Sequence, residues 1–209
     1  MSTAATASGA RPPGAVVAGV DLLSRSEPEA DHALHELLAR LPAAVAAGAH
    51  LGTHWGRAGD VPHVALAVEL PGLAADEAWA LLTQLTADLG GGAVALGERT
   101  AGPPELAAAA QAARQAQLDR AGGRLVHYPG VSALVGDLTV AEVLGRSAVD
   151  RVRVVATGDA EQGAVLVTRD HVRPAWAAGE LVLLAQPARG GTLVPFESPD
   201  PTPCCDGHH

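Results

Sequence analysis

The sequence predicts an α+β protein: a βαββαβ sandwich, then a connector helix, then a small β-rich C-terminal domain. Three observations carry this. Four N-terminal segments alternate apolar and polar residues, two leucine stripes recur at helical spacing between them, and the texture changes at Arg124 to short Val-rich runs between Gly and Asp turns.

Residues 15–22 read as a strand, and Ser26-Glu-Pro-Glu29 is an S-x-x-E capping box with Pro in the first turn. The helix behind it carries Leu34, Leu37, Leu38 and Leu41 on one stripe, and Pro42 kinks or ends it. Residues 49–55 alternate, with Leu51, Thr53 and Trp55 on one face and His50, Gly52 and His54 on the other. Residues 56–61 read as a turn, and in 62–70 Val64, Leu66, Val68 and Leu70 face inward. A second helix over 74–89 presents Ala78, Leu81, Leu82, Leu85 and Leu89, and Gly90, Gly91 and Gly92 stop it. Residues 93–98 give a fourth strand. This order is that of the ferredoxin-like split βαβ unit, placed at 14–99 after a disordered segment 1–13.

Residues 103–121 form a third helix, Ala-rich, with Leu106 and Leu118 as its large apolar residues. It reads as a surface connector within 100–123. The β-rich domain spans 124–197, with strand-like runs at 125–127, 132–135, 152–156, 164–168, 181–185 and 192–195. A short helix opens at Thr139 with Glu142 completing its box. The alternative is a lobe that continues the first sheet. Residues 198–209 form a Pro-rich tail that ends in a Cys/His cluster.

Composition excludes more chemistry than it suggests. The chain of 209 residues has a net charge of −9, and its 14 basic residues are all Arg. Lys, Asn and Ile are absent, the codon signature of a GC-rich bacterial genome. Without Lys there is no P-loop lysine, Schiff base or Ser–Lys nucleophile, and without Asn no Cys–His–Asn triad. The acidic balance argues against nucleic acid as a partner. No apolar run reaches membrane-span length and no secretion signal opens the chain, so the expectation is a cytoplasmic protein without membrane contact.

Three candidate sites emerge. Cys204, Cys205, His208 and His209 offer the soft and borderline ligands of zinc or copper, with a partner-docking role for the tail as the other possibility. The hairpin register places His54 directly opposite His63, within reach of a shared metal or anion. His127, Arg169, His171 and Arg173 could line an anionic-ligand pocket, with guanidiniums forking onto carboxylate or phosphate. The open sheet face, made of Val17, Gly19, Ala65, Ala67, Ala93 and Ala95, is expected to be buried by the second domain or by a twofold mate.

No complete catalytic constellation is legible. The expectation is a non-catalytic accessory or binding protein with a metal-binding tail. The alternatives are a small-molecule sensor or enzyme with an inter-domain pocket, and a self-assembling structural protein.

Overall fold

The computed structural model describes residues 11–58 and 61–198. Its fold is mixed α+β, built on a single open mixed sheet.

The first half runs β1 (Val16–Ser24), α1 (Glu27–Arg40), α2 (Ala43–Gly48), β2 (His50–Ala58), β3 (Val61–Leu70), α3 (Ala75–Asp88), β4 (Ala93–Leu96) and β5 (Arg99–Ala101). Ser26 caps α1 by accepting from the Glu29 N–H, and the Glu29 carboxylate in turn accepts from the Arg25 N–H at 2.7 Å. Pro42 ends α1, and the chain restarts at once as α2. The strands lie in the order β5-β4-β1-β3-β2, and every pair among them is antiparallel. Helices α1, α2 and α3 bury Leu34, Leu37, Val45, Leu82 and Leu85 against Val20, Leu51, Leu66, Val68 and Val94. The strand β5 answers no sequence signal; it pairs back onto β4 after a Gly97 turn.

Two corrections concern the next elements. The hairpin ladder continues to Ala58↔Val61, so only two residues separate the strands instead of a six-residue turn. The register moves by two positions. His54 stands opposite Ala65, and His63 stands opposite Gly56. The face assignment survives because a two-residue shift preserves the pleat.

The second correction concerns the connector. Helix α4 (Pro104–Asp119) lies across the open sheet face. Its buried residues Ala109, Ala110, Ala113 and Gln117 face inward, and Ala113 packs with Ala65 and Ala67. Helix α4 takes most of the face expected to meet a second domain or a twofold mate, with Trp176 of the second half against His50 at one end, so the expected homodimer surface is already occupied. Small residues permit the approach. A Cβ on Gly19 would stand 1.8 Å from the Ala110 carbonyl oxygen. Gly19→Ala therefore drives helix and sheet apart, with an expected loss of about 1–3 kcal/mol, typical of overpacking, in thermal unfolding.

The second half is β6 (Gly122–His127), β7 (Asp137–Thr139), α5 (Val140–Arg146), β8 (Arg151–Val154), β9 (Gly158–Asp159), β10 (Val165–Val167), β11 (Ala175–Ala177), β12 (Glu180–Pro187) and β13 (Leu193–Pro195). The expected strand at 132–135 is instead a 3-10 turn at Val131–Ala133. The box at Thr139 forms, with Thr139 and Glu142 each bonding the other's backbone N–H. The sheet order continues β2-β6-β11-β12-β13-β10-β7, with β6 antiparallel to β2, so this half extends the first sheet. It has its own core around Tyr128, Leu134, Val143, Leu166, Trp176 and Leu183.

Candidate functional site

Helix α4 turns the sheet face into an interior, and that interior holds the polar residues of interest. Asp21, His50, His54, His63 and Glu69 all project from β1, β2 or β3 onto the face that α4 covers.

Under this layer lies a closed pair. His63 Nε2 and Asp21 Oδ2 are 2.5 Å apart, and both side chains are fully buried. His63 Nδ1 lies 3.2 Å from the Val61 carbonyl oxygen. A carbonyl only accepts, so Nδ1 carries a proton and one further proton is shared between Nε2 and Asp21. The second carboxylate oxygen accepts from the Leu23 N–H at 2.8 Å. Each group thus has its partners, and no substrate reaches the pair. Asp21 carried no signal in the sequence beyond an isolated acid in an apolar strand.

Near the C-terminal end of α4 lies a second cluster. Glu69, fully buried, accepts through Oε2 from Arg11 Nε and Gln117 Nε2, both at 3.4 Å, and its Oε1 lies 3.5 Å from Arg120 Nη2 as an ion pair without hydrogen-bond geometry. Gln117 also accepts from Trp176 Nε1 at 3.1 Å, and the Arg120 guanidinium stacks over that ring at 4.2 Å. Burial lowers the Arg120 pKa, and Glu69 partly restores it. His50 lies against Trp176, and burial lowers its pKa to about 4 in spite of the Glu69 charge.

Beside α4 opens a cleft of about 260 Å³, lined by Ala65, the α4 alanines 108, 109, 112, 113 and 116, and His54, Trp55 and Gly56 of β2. Its one imidazole, His54, has a buried Nε2 with no hydrogen-bond partner among the described residues. Burial alone lowers the His54 pKa to about 4, so the ring is neutral at pH 7. Gly123 permits this placement, since a Cβ there would fall 2.2 Å from the ring. Trp55 lies beside the cleft, 62% exposed, and its Nε1 donates to Glu27.

The residues proposed for an anion pocket do not converge as a set. His127 Nε2 bonds the Ala46 carbonyl at 2.7 Å, and Arg169 is a left-handed turn residue. His171 joins a different group, through Glu197 at 2.9 Å. At its centre Arg124 forks onto Asp31 at 2.7 and 3.0 Å and onto Glu197 at 2.8 Å, tying α1, β6 and the chain after β13 together. Burial opposes the Arg124 charge, but the two carboxylates more than offset this and raise its pKa. Burial and then Arg124 lower the pKa of Arg173 nearby, whose Nε has no partner among the described residues. Asp31 and Glu197 are thus taken by Arg124, and the cluster reads as a structural tie.

Cys204, Cys205, His208 and His209 lie outside the described residues. Among the described residues, no group of three or more His, Cys, Asp or Glu side chains could hold a metal ion, and no helix is long and apolar enough to cross a membrane. Compared with family models, curated proteins and solved structures, the chain matches none.

Proposed function

We propose that the chain is a non-catalytic cytoplasmic binding protein that takes a small, mostly apolar molecule with one hydrogen-bonding group into the cleft beside α4. The observation that carries this reading is the cleft's lining: alanine methyls on the helix side and a single neutral imidazole, His54, whose Nε2 has no hydrogen-bond partner among the described residues. Apolar walls with few polar groups suit such ligands, because burial supplies affinity and the polar group sets orientation. The first half is read as a ferredoxin-like unit, a reading that its β4-β1-β3-β2 antiparallel order supports. That scaffold hosts many functions, so the cleft, not the fold, carries the argument.

The probe 2-naphthol combines an aromatic body with one hydroxyl. Wild type is expected to bind it, and Ala112→Trp, at an exposed lining position, is expected to reduce its affinity at least tenfold with unchanged stability. Fluorescence titration checks this; equal affinity of the two proteins would contradict the reading.

The two thiols and two imidazoles of the tail favour a second function, binding of zinc or copper. Elemental analysis is expected to find stoichiometric metal, lost on Cys204→Ser with Cys205→Ser. Metal-free wild type from a metal-replete preparation would contradict it.

A further inference from the structure

Two buried atoms of the cluster at the C-terminal end of α4 are unsatisfied, and they belong to neighbours. His50 Nδ1 and Glu69 Oε1 have no hydrogen-bond partner among the described residues. The two residues are directly opposed on β2 and β3 and share one face. His50 is 7% exposed and Glu69 is 0% exposed. Opposed Cβ atoms lie about 5 Å apart, so the two side chains rise from the sheet as direct neighbours.

We propose that this is a built site for a single water molecule, which bridges His50 Nδ1 and Glu69 Oε1 and accepts from Arg120. The chemistry selects this ligand. Glu69 Oε1 is an acceptor, and a cation would suit it, but Arg11 and Arg120 already set two positive charges against one carboxylate. An added cation would therefore be repelled. An anion would face the carboxylate and the imidazole lone pair. A neutral molecule that donates twice and accepts once fits both constraints, and three hydrogen bonds are the usual complement of a buried water. Arg120 Nη2, 3.5 Å from Oε1, is placed to be the donor. The remaining charged or titratable groups felt by His50 are His127 on β6 and Asp150 before β8. His127 is bonded to the Ala46 carbonyl, and Asp150 accepts from the Leu181 N–H, so neither competes for the site.

The bridge has a consequence for the fold. It joins β2, β3 and the last turn of α4, where Trp176 of β11 also docks. It also fixes the His50 tautomer: Nδ1 accepts and Nε2 carries the proton.

The test is an atomic-resolution crystal structure of the full chain, with long-range imidazole nitrogen NMR at neutral pH. The expected result is one fully ordered solvent peak within hydrogen-bond distance of both atoms, an unprotonated Nδ1, and a water-selective Overhauser signal at the His50 ring. A protonated Nδ1 bonded directly to Glu69 would overturn the proposal. So would an empty gap, or a peak whose anomalous signal marks a metal ion.

Discussion

Asp21→Ala is expected to destabilise the protein by about 1–3 kcal/mol, the usual cost of leaving a buried polar group without its partner. The reason is the isolation of His63. Its Nε2 has Asp21 as partner at 2.5 Å, its side chain is fully buried, and α4 covers the face on which it lies. Without the carboxylate, the imidazole keeps its bond to Val61 and loses its second partner where water cannot replace it. The double variant Asp21→Ala with His63→Leu removes both polar groups and is expected to recover a large part of the loss, because apolar replacement of a buried pair is often close to neutral. Urea unfolding with an unchanged denaturant slope measures both. A loss below about 1 kcal/mol for the single variant, an exposed-pair value, would show that the pair is not enclosed.

Acid is expected to weaken the fold well before its carboxylates titrate. His50 and His54 both have their pKa lowered by burial from 6.5 to about 4. Between those values the unfolded chain binds protons that the folded chain refuses. The stabilisation is therefore complete above about pH 6.5 and is lost as pH falls towards 4. A difference of this size amounts to on the order of 3 kcal/mol for each histidine. His50→Phe and His54→Phe are each expected to flatten the profile in that window. Unfolding free energies measured from pH 7 to 4 check it, and a flat wild-type profile would contradict neutral, buried imidazoles.

The main elements of the first half, β5 apart, were legible because each had its own period and its own stop. The leucine stripes of α1 and α3, the box at Ser26 and the glycines at 90–92 needed no tertiary information. The role of α4 was not legible by the same rule. Its buried stripe is Ala109, Ala110, Ala113 and Gln117, and a search for large apolar side chains finds only Leu106 and Leu118, which remain half-buried. The complementary signal was present in the alanine and glycine face of the sheet, which called for a smooth cover. Packing of small residues on small residues leaves no amphipathic contrast, so neither half of the contact announces the other.

The site was legible only in part. His54 was singled out, and its face was right, but parity cannot distinguish registers two residues apart, and the hairpin proved tighter than its glycines suggested. Asp21, Glu69 and Gln117 were missed. A polar residue on a strand or an Ala-rich helix reads as solvent-facing until a third layer is known to cover it. Trp176 was one of three tryptophans in a composition with little aromatic content. Its contacts with Arg120 and Gln117 dock the second half on the C-terminal end of α4, beside the β2–β6 pairing that joins the two halves as one sheet.

The alanine methyl spectrum of the full chain during titration with 2-naphthol tests the central claim most directly. The expected result is saturable shifts at Ala65 and at the α4 alanines 108, 109, 112, 113 and 116, with Ala30 and Ala78 in the opposite core unmoved. Shifts centred elsewhere, or none at saturating probe, would contradict a binding cleft beside α4.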